Sequence, residues 1–192
     1  EKGKVILETK KSIKCGANGS GGVFESIVKT GVLADMKKRG IKWIFIGAVD
    51  NVLLKMADDI FIGFAEDSKK ILASKTVIKC SPDEHVGVFC NKNGKPAVVE
   101  YTEISEEMAN EKNEKGELVY GDGHMLLNLY NIKALEIFSK EKLPLHPAHK
   151  KATYVNENGE ILTPEEPNAY KFEALIFDAF TVPVARVGES IM

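Results

Sequence analysis

The run Lys42-Trp-Ile-Phe-Ile-Gly-Ala-Val-Asp50-Asn51 constrains the fold more than any other stretch of this chain. Its apolar part is short for a helix and stops abruptly on an acid and an amide, the pattern of a buried strand that ends at a sheet edge. In an α/β protein Asp50 then sits at the carboxyl edge of the sheet, where open sheets bind ligands. Upstream, the glycine loop Asn18-Gly19-Ser20-Gly21-Gly22 opens into a segment whose apolar positions 23, 24, 27 and 28 follow helical spacing. A loop with bare backbone N–H groups faces the same edge. Together the two predict a nucleotide and a divalent metal.

The rest of the chain alternates strand and helix signals. Lys4 to Leu7 predicts a short strand, Val32, Leu33 and Met36 a second helical piece, and Leu53–Met56 and Phe61–Ile71 helical spacing. Thr76–Lys79 is strand-like. Val86–Phe89 and Ala97–Tyr101 flank Asn91-Lys-Asn-Gly94, a hairpin signal, and Asn156-Glu-Asn-Gly159 marks a second hairpin between Tyr154 and Leu162. A helix is expected to begin at Ser105, and Met125–Phe138 is apolar at helical intervals. Tyr170–Phe180 is again apolar, and Thr181–Val187 is strand-like. This alternation predicts one α/β domain with a mixed, mostly parallel sheet carrying β-hairpin insertions.

Composition excludes several function classes. The 26 Lys and Arg against 28 Asp and Glu leave a net charge of −2, so no broad basic field serves nucleic acid or an anionic membrane. Any phosphate must be held locally. Cys15, Cys80 and Cys90 are odd in number and widely spaced, which predicts reduced thiols in a cytoplasmic protein rather than a disulfide framework or zinc site. No apolar run reaches the roughly 20 residues of a membrane span, and the first residues lack a signal-peptide layout.

Several segments then match a known family in order: Ser20-Gly-Gly-Val-Phe, Gly31 to Gly40, Val49-Asp-Asn-Val-Leu, Pro82 to Gly87, Val98 to Ser105, His149-Lys-Lys151, and Pro167 to Phe180. They resemble the eukaryotic-type UDP-sugar pyrophosphorylases, and most of all the branch that acts on N-acetylglucosamine 1-phosphate. The resemblance implies a Rossmann-like, GT-A-like nucleotidyltransferase domain. It also implies the reaction: UTP and a sugar 1-phosphate give a UDP-sugar and pyrophosphate with Mg²⁺. The sugar phosphate oxygen attacks the α-phosphorus in line, so the protein chiefly positions two anions and neutralises their charge.

Carried onto this chain, the resemblance assigns residues. Asp50 matches the Mg²⁺ ligand; from the residues alone, the N-cap of the 51–56 segment is equally open to it. Gly19 and Ser20 match the uracil loop, where family members usually have Asn in place of Ser20. Gly87, Glu100 and Tyr101 match positions that meet the sugar, and Phe177 an aromatic lining its pocket, with Leu175 replacing a usual aromatic neighbour. His124 falls where the N-acetylglucosamine enzymes usually carry Asn. Lys171 matches a phosphate contact, a point charge on a flexible stem, with Lys150 and Lys151 as weaker candidates. His146 and His149 read as structural or surface residues, and for Asp178 a metal role, a cap and an ion pair all stay open.

The family also carries an N-terminal phosphate-cradling loop and a C-terminal β-rich domain that these 192 residues do not include, so the chain is expected to be an internal part of the catalytic domain with little turnover alone. Two other functions stay open. One is a UDP-glucose or broad-specificity UDP-sugar pyrophosphorylase; the other is an inactive UDP-sugar-binding module.

Overall fold

Aromatic and β-branched runs give the strands of this chain, and short amphipathic stretches give the helices between them. In a computed structural model, residues 3–52 and 54–182 are described. In chain order the first elements are β1 (Leu7–Thr9), β2 (Ser12–Ile13), α1 (Gly22–Lys29), α2 (Val32–Lys38), β3 (Trp43–Gly47), α3 (Asp59–Asp67), β4 (Leu72–Ile78), β5 (Val88–Lys92) and β6 (Lys95–Val99). There follow α4 (Glu106–Asn110), β7 (Asp122–Asn131), α5 (Ile132–Phe138), β8 (His146–Lys150), β9 (Tyr154–Val155), β10 (Ile161–Leu162), β11 (Ala169–Glu173) and a 3₁₀ helix at Ile176–Thr181. The described residues fall into two compact units, one made of those up to Val23 with Leu143–Ile176, the other of those in Phe24–Lys142 with residues 177–182.

The second unit is organised by β7. Its residues 127–131 pair with β3, while β4 runs along its other side and β5 meets it at Gly123. Because β3 and β4 are both antiparallel to β7, they run the same way as each other, with α3 as the crossover between them. The expected mostly parallel sheet is corrected accordingly: every strand pairing among the described residues is antiparallel. The α/β class stands. β7 lies between these two co-directional strands.

Met125–Asn131 is a second correction, since it is strand where helical spacing was expected. A strand covered on both faces, as the consecutive buried residues Asn128, Leu129 and Tyr130 show for this one, reads as a near-continuous apolar run, which cannot be told from a buried helix by periodicity. Helix begins only at Ile132, where the Asn131 side chain accepts from the Lys133 N–H at 3.1 Å. Behind the sheet, Phe24, Tyr130 and Phe138 meet edge to face at 5.3–6.2 Å, each at most 2% exposed. Truncating any one of them to Ala would cost about 3–5 kcal/mol.

Other expectations differ in detail. The described residues of the 51–56 segment form no helix, and α3 starts later, where the Asp58 carboxylate accepts from the Ile60 and Phe61 N–H groups. The helix expected from Ser105 forms, with Ser105 as the N-cap of α4, and it ends at Asn110. There Asn113 accepts from the Lys115 and Glu117 N–H groups, so local side-chain bonds hold a turn in place of helix. The Asn91–Gly94 hairpin forms as read, with Asn93 and Gly94 both at positive φ, 57° and 80°. Most of the strand-like Thr181–Val187 segment lies outside the described residues.

The first unit is built from small ribbons. β1 pairs with β2, β9 with β10 around the predicted Asn156–Gly159 turn, and β8 with β11. Across the last pair, alternate residues share a face: Lys171 and Glu173 lie beside Lys150, while on the opposite face the Tyr170 ring stacks on His149 at 4.6 Å. His149 is exposed, and this stack is its ring contact.

Candidate functional site

In the first unit the glycine loop is locked onto the end of β11. Gly21 N–H donates to the Ala174 carbonyl at 2.9 Å, and Ala174 N–H donates to the Asn18 carbonyl at 2.8 Å. Gly19 has φ of 90°, and a Cβ there would stand 2.3 Å from the Ala174 carbonyl oxygen. The glycine is therefore demanded by the chain's own backbone, before any ligand approaches. Ser20 Oγ accepts from the Ile176 N–H at 3.0 Å, which anchors the start of the 3₁₀ helix. The serine hydroxyl keeps its own proton for donation outward.

Lys171 borders the same loop, its Cε 3.4 Å from where a Cβ on Gly16 would lie. Its ammonium donates to Glu173 Oε1 at 2.7 Å, and Lys150 stands 3.6 Å from Oε2. These two lysines, Lys171 first, hold the Glu173 carboxyl below the usual carboxylate range. Glu173, which sequence reading passed over, keeps Lys171 oriented; its spacing of two along a strand from Lys171 was the available signal. A cleft of about 640 Å³ in this unit, between Lys4–Leu7 and Tyr154–Asn158, contains none of the predicted residues.

In the second unit four predicted residues converge. The His124 N–H donates to the Gly87 carbonyl at 2.8 Å, and a Cβ on Gly87 would lie 3.4 Å from Glu100 Oε1. The His124 ring meets Phe177 edge to face at 5.7 Å, with Phe89 at 5.3 Å and Phe180 at 5.8 Å. Burial among these rings pushes the imidazole below the ordinary histidine range, partly opposed by the bond to Asn128. Tyr101 is 44% exposed and stacked on His85 at 4.9 Å. Asp178 is buried with partners of its own.

Asp50 stands in an exposed turn after β3, between Val49 and Val52, which are 101% and 93% exposed. It caps no helix: Asp58 has that role, so the capping alternative is corrected. Among the described residues Asp50 has no hydrogen bond or ion pair, and no group of three His, Cys, Asp or Glu is placed to hold a metal ion. An unengaged carboxylate fits a Mg²⁺ that keeps several waters and arrives with phosphates, which needs only one or two protein carboxylates. It does not make an all-protein cage.

The crossover strands, the central β7 and this polar cluster define an α/β nucleotidyltransferase fold. A crystal structure of the uridine diphosphate N-acetylglucosamine pyrophosphorylase from Trypanosoma brucei, in complex with an inhibitor, matches with a TM-score of 0.82 at 31% identity, covering 98% of this chain and 37% of that one. The profile of the UTP–glucose-1-phosphate uridylyltransferase family matches residues 3–187, and the chain belongs to that family. It is 38% identical to the mouse UDP-N-acetylhexosamine pyrophosphorylase-like protein 1 over 93% of this chain and 36% of that protein. It is 40% identical to the UDP-N-acetylglucosamine pyrophosphorylase of Saccharomyces cerevisiae over 89% and 37%. The chain thus spans little more than a third of the length of each of these relatives. No helix among the described residues is long and apolar enough to cross a membrane.

Proposed function

We propose that this chain is part of a cytoplasmic uridylyltransferase that joins UTP and N-acetylglucosamine 1-phosphate into UDP-N-acetylglucosamine and pyrophosphate. The observation that carries the reading is the convergence of Gly87, Glu100, His124 and Phe177 in a chain 36–40% identical to relatives named for this sugar nucleotide. Glu100 accepts from sugar hydroxyls, the Phe177 ring packs a sugar face, and Gly87, where a Cβ would stand 3.0 Å from Val98 Cγ1, brings its backbone to the sugar beside Glu100. Gly19 and Ser20 present backbone and hydroxyl groups to uracil. Lys171 exchanges Glu173 for a phosphate oxygen, so the pair stores a cation in place until the anion arrives. Asp50 would hold Mg²⁺, which neutralises phosphate charge and makes the α-phosphorus easier to attack. The in-line displacement needs no covalent intermediate on the protein.

A broad preference that includes UDP-glucose is the second reading, favoured by the imidazole at position 124 in a cluster otherwise made of Glu100 and aromatic rings. Competition between UDP-N-acetylglucosamine and UDP-glucose for this chain, read by displacement of a fluorescent UDP derivative, separates the two. Displacement at least tenfold better by UDP-N-acetylglucosamine supports the first reading; equal displacement supports the second. A folded chain that binds neither contradicts both.

A further inference from the structure

The ladder between β4 and β7 is broken beside His124. Ser74 lies opposite Asn128 and Thr76 opposite His124, so Lys75 alone faces the three residues Met125, Leu126 and Leu127. The excess is taken up as a bulge, with Leu126 at φ of 51°, a left-handed conformation that a leucine adopts only when its surroundings impose it. In an even strand, residues four apart are separated by roughly 13 Å. Here the bulge draws their side chains together, with His124 Nε2 and Asn128 Oδ1 3.3 Å apart. Strain held next to a candidate site is a reason to ask what the contact does.

Asn128 is fully buried, and its Nδ2–H donates to the Tyr130 hydroxyl at 3.3 Å. That donation turns Oδ1, which can only accept, toward the imidazole. Nε2 must then carry the proton, and in the neutral ring Nδ1 is left as an acceptor. Phe89, Phe177 and Phe180 stand nearly perpendicular to the ring, at 82–88°, and oppose its rotation. Nδ1 has no hydrogen-bond partner among the described residues, yet no buried side-chain nitrogen or oxygen there lacks one, so Nδ1 opens outward.

We propose that Asn128 is a positioning residue that fixes His124 as its Nε2–H tautomer, so that Nδ1 is presented as an acceptor to a sugar hydroxyl. The inference deepens the reading of this cluster as the sugar site and rests on it for the ligand. With Glu100 as a second acceptor, the cluster then selects a ligand that offers hydroxyl donors, and an acceptor-only substituent is repelled. The role of Asn128 is indirect: it touches the ring, not the ligand.

The test reads the ring nitrogens directly, by long-range ¹H–¹⁵N correlation on the chain labelled in its four histidines, with His124→Gln assigning the signal. The expected result is the Nε2–H tautomer at neutral pH, with the Nδ1 resonance moving when UDP-N-acetylglucosamine is added and staying when UDP is added. Asn128→Leu should return the ring to a mixture of tautomers and lower the preference for UDP-N-acetylglucosamine over UDP by roughly three- to tenfold, the worth of one neutral hydrogen bond. Asn128→Asp, which keeps the acceptor, should retain the proton on Nε2. An Nδ1–H tautomer in the unmutated chain overturns the proposal without any variant having to fold. A tautomer indifferent to Asn128→Leu in a folded chain overturns it too, as does bound UDP-N-acetylglucosamine that leaves Nδ1 unmoved. Failure of the sugar nucleotide to bind, with the tautomer as expected, overturns the functional reading and the ligand half of the inference while upholding the hold of Asn128 on the ring.

Discussion

Gly19 and Ala174, far apart in sequence, approach so closely that a single methyl group on Gly19 would lie 2.3 Å from the Ala174 carbonyl oxygen. The loop that resembles a uracil-binding segment is therefore also a structural clasp on the end of β11. The chain's own backbone is reason enough for the glycine, so a variant at that position tests the clasp and not the uracil contact.

Gly19→Ala should lower stability by more than the ~1 kcal/mol of left-handed strain alone, because the Cβ also meets backbone that cannot step aside. Denaturant unfolding checks this. An unchanged midpoint would show that the loop moves freely off Ala174. Loss of UDP binding in this variant carries no information about uracil.

Ser20→Ala removes the acceptor for the Ile176 N–H. The expected cost is about 1 kcal/mol, as for loss of a helix cap. UDP affinity, measured well below the unfolding temperature, should fall beyond that cost only if the hydroxyl also donates to the nucleotide.

Asp50→Ala separates function from folding. The side chain is exposed and unpaired among the described residues, so stability should hold within about 0.5 kcal/mol. Nucleotide affinity should lose most of its dependence on Mg²⁺. Calorimetry with Mg²⁺ and with EDTA reads both, and Mg²⁺ dependence equal to that of the unmutated chain would remove Asp50 from the metal.

Asp58 sets an acid limit. Lys75, together with Lys55 and the Phe61 N–H, holds its carboxyl down to about 2 although it is only 8% exposed. A carboxyl depressed by folding stabilises at pH values above its unfolded pKa, near 3.9, and that contribution is lost as pH falls toward 2. Asp58→Asn should flatten the stability profile between pH 4 and 2, at the cost of stability at neutral pH. A profile in that window identical to that of the unmutated chain would mean that the Lys75 pair contributes nothing.

What the sequence discloses depends on whether the cause is local. The Asn91–Gly94 and Asn156–Gly159 turns form as read, because a hairpin turn is specified by the residues in it. The strand after Lys42 forms too, though it ends at Gly47 and leaves Asp50 in the following turn. β7 was hidden because both of its faces are covered, which erases the period of two. The partnership of His124 with Asn128 depends on a bulge that appears only when β4 is laid beside β7. One polar residue inside Leu126-Leu-Asn-Leu-Tyr130 was the trace it left in the sequence.

The most direct test of the account is the ratio of UDP-N-acetylglucosamine to UDP affinity, measured by calorimetry with Mg²⁺ on this chain and on Glu100→Gln and Phe177→Leu. The account predicts that UDP-N-acetylglucosamine binds more tightly than UDP, and that both substitutions shrink the ratio while UDP affinity stays as it was. A folded chain with a ratio of one, or a ratio that neither substitution alters, would contradict the assignment of this cluster to the sugar.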